Sequence, residues 1–234
     1  EAGRRAVERL SPRKLKSRTA PVLFDRRLSD SLLGDLASAV HGAAIARGVS
    51  FLKDKRGERI FRKGIDVVDD PHVKRGFGSR PFDGEGVAAG RIKLIDDGVL
   101  TTWLLNSSQA RQLKLETNGR ATRGASGPPG SGPTNLWLEK GAETPEAMMA
   151  RIGEALLVTD MFGPQVNQNT GDYSVGCAGF WLEGGARAYP VSEITIAGNL
   201  LGMFAALEPA SDLEFKGAIN APTVYVGAMT IAGD

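Results

Sequence analysis

The 234-residue sequence predicts an α+β domain: mostly antiparallel β-sheet, barrel-like or sandwich-like, with a few segregated helices. Three observations carry this prediction. Two hairpins are written into the chain, one turning at Asp97-Gly98 between residues 91–95 and 99–104, the other at Gly184-Gly185 between residues 173–183 and 186–189. Both dipeptides supply the positive φ angles that a tight hairpin turn requires. Long helical periodicity occurs once, and the remaining apolar runs are short strands that follow one another instead of alternating with helices, which is the α+β pattern. No segment repeats at a fixed period.

In chain order, Val22-Leu23-Phe24 forms a short strand after Pro21, and Asp25 offers a helix cap. Leu28, Leu32, Leu36, Ala39, Val40, Ala43 and Ala44 recur at three- and four-residue steps, predicting one amphipathic helix over residues 28–46 that stops before Gly48. Residues 65–69 alternate as a strand closed by Asp70-Pro71. Residues 107–113 predict one or two helical turns. Residues 119–133 (GRATRGASGPPGSGP) predict an irregular loop with nothing to offer a core. Residues 135–138 form a strand, and Thr144-Pro145-Glu146 opens a helix with a cap and a first-turn proline, running to about residue 154. Residues 194–196 extend the sheet, residues 199–207 form a helix, and residues 213–216 and 223–226 are closing strands.

Composition sets the outer bounds. Hydrophobic residues make up 41% and charged residues 24%, an ordinary globular balance, and no run approaches the roughly 18 apolar residues of a membrane helix. The single cysteine, Cys177, excludes an intrachain disulfide and a cysteine-cluster zinc site, and fits a reducing cytoplasm. The net charge of +2 is uneven: seven basic and two acidic residues put +5 on residues 1–18, which leaves 2 − 5 = −3 on the rest. Residues 1–20 are therefore expected to be a basic helix and linker leading from an upstream domain, with the domain proper over residues 21–234. A nucleic-acid surface needs base-reading or stacking side chains beside its cations. Residues 1–18 offer only Val7 and Leu10, so a solvated helix end is the expectation.

Few residues carry the types that chemistry demands. His41 falls on the long helix, but Ala37 and Ser38 precede it, and Gly42 and Ile45 follow, where an HExxH zinc helix needs glutamate and a second histidine. A packed or half-exposed side chain is expected there. His72 follows a turn and is expected to be exposed. Cys177 lies between Gly176 and Ala178 in a strand, without a helix amino terminus to lower its pKa, and is expected to be a buried thiol. Asp83 and Glu85, two apart in a glycine-rich stretch, would share one side of an extended chain and form a carboxylate pair. A glycine-rich bend is the plainer account. A self-sufficient hydrolase built on Cys177 or on Asp83 and Glu85 is one alternative, and a nucleic-acid-associated regulator is another.

The pieces gain meaning in combination. Ser50-Phe51-Leu52 with Asp54-Lys55, Gly57 and Ile60 comes first. The stretch from Gly78 to Gly86 with its Phe82-Asp83-Gly84-Glu85-Gly86 follows, and then Leu94 to Leu100 around Asp97-Gly98. After these stand Asn169-Thr170-Gly171-Asp172-Tyr173-Ser174 through Trp181, Tyr189-Pro190-Val191 through Leu200, and Ala221-Pro222-Thr223 through Gly233. In this order, over nearly the whole chain, they resemble the TldD/PmbA family. Its TldD-type members carry HExxxH on the long helix. With His41 on the second histidine, the first falls on Leu36 and the glutamate on Ala37. The resemblance therefore implies a TldE/PmbA-type carboxy-terminal domain that is not catalytic on its own, with no metal in this chain and zinc in a TldD-type partner. It implies a heterodimer acting on unfolded or extended peptides, with self-association of the isolated chain as an alternative. Sheets hold extended peptides by adding a strand, and glycines permit close approach. Asp83, Glu85, Gly86, Gly176 and Gly179 are accordingly the expected peptide-binding or interface residues.

Overall fold

The computed structural model describes residues 2–233. They run α1 (Ala2–Val7), β1 (Arg18–Phe24), α2 (Arg26–Ala39), α3 (Gly42–Ala46), β2 (Val67–Asp69), β3 (Ile92–Asp96), β4 (Val99–Leu100), α4 (Ser107–Gln112), β5 (Ala121–Thr122) and β6 (Gly130–Ser131). There follow β7 (Leu136–Leu138), α5 (Pro145–Ile152), β8 (Ala155–Val166), β9 (Asp172–Glu183), β10 (Ala186–Asn199), α6 (Leu200–Ala206), β11 (Glu208–Pro209), β12 (Ile219–Asn220) and β13 (Val224–Ala232).

β1, β8, β9, β10 and β13 close into a barrel, because β13 pairs with β10 on one side and with β1 on the other, while β1 reaches β8. Closure removes the free strand edges that an open sheet exposes. The period-two pattern sorts the side chains. Val22, Phe24, Leu156, Val158, Val175 and Cys177 join the main core, while Leu23, Ala155, Leu157 and Leu182 form a second cluster with Met148 of α5 on the other face. α2 supplies Leu32, Leu33 and Leu36 to the main core and contacts both the barrel and a second sheet of order β12-β7-β2-β3-β4. The two glycine turns form as the sequence demands, with φ of 48° and 82° at Asp97 and Gly98, and 57° and 80° at Gly184 and Gly185.

Several elements differ from expectation. The helix predicted over residues 28–46 is two helices, α2 and α3, broken at Val40 and His41. β8, with twelve residues, is a barrel strand that the sequence reading left unassigned. Residues 213–216 are not a strand, and the chain pairs instead at Glu208–Pro209 and Ile219–Asn220. The strand expected over residues 99–104 is only Val99–Leu100. The glycine-rich loop carries the β5–β6 pair and buries Arg120 completely, so its expected exclusion from the interior is incorrect. Barrel strand β1 begins at Arg18, and Leu15 is already buried, so the basic segment joins the domain earlier than residue 21.

Its cations also have local partners: Arg9 pairs with Asp160 at 2.6 Å, Lys14 with Glu193 at 3.5 Å, and Arg13 lies over the Tyr189 ring at 4.4 Å. Among the described residues no helix is long and apolar enough to cross a membrane.

Candidate functional site

The resemblance puts a metal motif at the junction between α2 and α3. Asp25 caps α2, its Oδ1 accepting from the Arg27 amide at 3.0 Å. At the other end the backbone leaves the helix for a strand-like exchange with Leu104: the Leu104 amide donates to Val40 O at 3.0 Å, and the Gly42 amide donates to Leu104 O at 2.9 Å. Only glycine fits at 42, because a Cβ there would stand 2.2 Å from Gln109 Oε1 and 2.7 Å from Leu104 O. Gln109 belongs to the capping box that Asn106 forms at the start of α4. The apolar period continues across the break, so periodicity alone reported one helix.

His41 has extended backbone angles (φ −63°, ψ 125°) and caps α3. Its Nδ1 faces the Ala43 amide at 3.2 Å and its Nε2 faces the Ser131 amide at 3.4 Å. A neutral imidazole has one free lone pair in the ring plane, so it accepts from one of these amides at a time. Burial holds its pKa below the ordinary histidine value, opposed in part by a backbone hydrogen bond at Ser131 and helped by the charge of Arg47.

Zinc does not fit this junction. The positions that the resemblance gives to the first ligand and the base are Leu36, fully buried in the core, and Ala37, also buried. His41 turns both nitrogens toward backbone amides. Among the described residues no three His, Cys, Asp or Glu side chains stand close enough to share a metal. A catalytic zinc centre needs three protein ligands and an open fourth position, and this donor set does not supply them.

The acidic-glycine stretch is also not a carboxylate pair. The chain turns at Asp83, whose carbonyl accepts from the Gly86 amide at 3.1 Å, so Asp83 and Glu85 do not lie on an extended backbone. Asp83 is buried: its Oδ1 accepts from the amides of Glu85 at 2.9 Å and Val87 at 3.0 Å, and its Oδ2 accepts from the Ala121 amide at 3.0 Å. Glu85 reaches instead to the Ser107 amide, 2.8 Å away. Both carboxylates clamp loops together.

A second buried clamp stands beside them. Arg120 and Asp69, neither with measurable exposure, form an ion pair. Arg120 also donates to Asn118 O at 2.8 Å and Gly90 O at 2.6 Å, and Asp69 Oδ1 accepts from the Thr134 amide at 2.6 Å. Burial pushes the Asp69 carboxyl up, and Arg120 and the Thr134 amide oppose that only in part. No sequence signal pointed to this pair, since an arginine among glycines and prolines reads as solvated.

Cys177 faces the barrel interior, and burial pushes its thiol up to about 12. Neither imidazole is its hydrogen-bond partner, so it lacks the activating base of a nucleophile. The remaining candidates divide. Gly179 is buried, and a Cβ would lie 2.0 Å from Leu157 O, so its backbone is wedged into the barrel wall and is not open to a ligand. Gly176 lies on the half-buried face of β9, with Phe162 O 3.4 Å from an added Cβ. An open groove of ≈ 680 Å³ is lined by Val166, Asn167, Asp172, Tyr173, Ser174, Ala197 and Gly198, with Ser174 two positions along β9 from Gly176. Burial pushes the Tyr173 phenol up, and the charge of Asp35 on α2 adds to the shift. Burial alone raises Asp35 to about 6.

A barrel closed by five strands and a broken helix bridging to a second sheet define an α+β barrel module. The chain belongs to the family described as the PmbA/TldA metallopeptidase C-terminal domain, which matches residues 17–233. It is 40% identical to the metalloprotease PmbA of Escherichia coli O157:H7, over all of this chain and 50% of that protein. It superposes with a TM-score of 0.90 on a candidate modulator of DNA gyrase from Thermotoga maritima, at 27% identity over 99% of this chain and 54% of that one. The fold is shared also with TldE from Thermococcus kodakarensis, with a TM-score of 0.87 at 23% identity over 98% of this chain and 55% of that one. The chain spans about half the length of the curated relatives it matches.

Proposed function

We propose that this chain is the carboxy-terminal module of the non-catalytic subunit in a two-subunit, cytoplasmic metallopeptidase. In this reading a TldD-type subunit holds the zinc and cleaves unfolded or extended peptides. The present subunit contributes to assembly and holds peptide along the groove beside Gly176. Membership of a metallopeptidase family supports the peptidase context. One observation carries the division of labour: at the α2–α3 junction the positions that the resemblance gives to the ligand and base are the buried Leu36 and Ala37, and His41 turns both ring nitrogens toward backbone amides.

The alternatives lose support on the same ground. A self-sufficient hydrolase would need Cys177, whose thiol is pushed up to about 12, or Asp83 with Glu85, of which Asp83 has both oxygens and Glu85 has Oε2 engaged by backbone amides. A nucleic-acid regulator would need the basic segment, whose cations pair with Asp160 and Glu193 or stack on Tyr189. The test is zinc content and peptidase activity of the full-length protein, alone and combined with a TldD-type subunit. Activity is expected only in the combination, with zinc carried by the TldD-type subunit. Activity of the full-length protein alone, abolished by Cys177→Ala, overturns the proposal.

A further inference from the structure

The loop between β2 and β3 is tied down along its length. Asn135 anchors it: its Oδ1 accepts from the Gly78 amide at 2.9 Å, and its Nδ2 donates to Asp70 O at 2.7 Å and Ser79 Oγ at 2.9 Å. Ser79 Oγ donates in turn to Val73 O at 2.6 Å, and the Arg80 amide donates to Pro71 O at 2.9 Å. Asp83 closes the far end through its three amides. Gly78 sits so close to Thr134 that a Cβ would come within 2.1 Å of its carbonyl oxygen. A backbone held at this many points cannot fold its aromatic side chains back into the domain.

The loop accordingly keeps Phe77 80% exposed and Phe82 58% exposed, with Pro81 exposed beside Phe82. Rings held in water by a fixed backbone are the usual anchors of an interface. Phe215, also exposed, differs in having an aromatic neighbour, its ring lying edge-on to Trp137 at 5.5 Å.

The size of this face selects its cover. At roughly 150–250 Å² for a whole aromatic side chain, these exposures leave roughly 200–350 Å² of the two phenylalanines in water. A separate protein needs about 800 Å² from each side for a stable, specific contact. A second domain of the same chain needs only about 600 Å² in total, because its tether holds it at an effective concentration in the millimolar range. This chain spans 50% of the length of its Escherichia coli O157:H7 relative, so about half of a protein of that length lies outside residues 1–234. A second copy meeting the loop across a two-fold axis would also bring two sets of the exposed Lys74 and Arg75 together.

We infer that the β2–β3 loop, through Phe77 and Phe82, is the seat of the half of the full-length protein that lies outside residues 1–234. The contact is apolar and lies within one chain. It exists with or without a TldD-type subunit, so it stands or falls apart from the two-subunit reading.

The test is hydroxyl-radical labelling of the dilute full-length protein, native and in urea, with each phenylalanine read by mass spectrometry. Phe77 and Phe82 are expected to react at least about fivefold more slowly in the native protein than in urea. A smaller ratio, as exposures of 80% and 58% would give, overturns the assignment. Protection that appears only on raising the protein concentration gives the loop to a second copy, and protection that appears only with the TldD-type subunit gives it to that subunit. Either result overturns the contact within one chain. Benzoylphenylalanine in place of Phe77 identifies the cover directly, since irradiation is expected to join it to a peptide of the same chain outside residues 1–234. A crosslink only inside residues 1–234, a crosslink to another molecule, or none at all contradicts the assignment.

Discussion

At the scale of single residues, the site is defined as much by buried charges as by the missing ligands. Asp35 is raised to about 6 by burial, while its unfolded value stays near 3.8. The native state therefore binds more protons than the unfolded chain between these values, so stability is lost as pH rises from about 4 through 6. Asp35→Asn should raise stability at pH 8 by about 1–2 kcal/mol, after allowing for partial solvent screening, and by little at pH 4. Urea denaturation at the two pH values checks this, and an equal effect at both would show that Asp35 keeps its ordinary pKa. Arg120 behaves oppositely. Arg120→Met strands the Asp69 carboxylate in the interior and should cost about 3–5 kcal/mol. Asp69, already pushed up by burial, would rise further without the guanidinium, so the deficit should be smaller at pH 5 than at pH 8. Neither residue was legible in the sequence. Asp35 sits on a helix face among leucines, where the pattern does not say which side is buried, and Arg120 lies in a stretch whose glycines and prolines signal exposure. Cys177 and His72 were legible, because a thiol within an alternating apolar strand and a histidine after a turn have little freedom of placement.

At the scale of elements, glycine decides what the strands can do. Both hairpin turns were legible because Asp-Gly and Gly-Gly leave few other conformations. The helix break at His41 was not, because the contact that enforces it comes from Leu104, more than sixty positions away, and leaves the apolar period intact. β8 escaped for a related reason: a short apolar run fits a buried helix as well as a strand, and only pairing with β1 and β9 settles which. The two strand glycines singled out from sequence have different jobs. Gly179→Val should collapse the barrel, since the side chain has nowhere to go beside Leu157 O. Gly176→Val meets Phe162 O at ordinary contact distance and should leave the fold intact. In the assembled pair it should weaken extended-peptide binding by about tenfold, read by titration calorimetry. Unchanged affinity with an intact fold would remove Gly176 from the peptide surface.

At the scale of the whole molecule, the family fold is kept, and the helix positions where the resemblance expects a metal ligand and a base carry core residues. Leu36 belongs to the packed centre between barrel and second sheet, so the position contributes to stability where a ligand would have to face an open cavity. The sequence resemblance made this visible through the order of its motifs, and the structure adds that the one surviving histidine is a helix cap. In the proposed two-subunit reading, a TldD-type subunit supplies the metal chemistry. Zinc per subunit in the purified full-length pair tests the central claim most directly. The account predicts about one zinc per pair, retained by the TldD-type subunit after separation, and none on the present protein at any stage. Stoichiometric zinc bound by the full-length protein alone, with peptidase activity lost on chelation and restored by zinc, would contradict it.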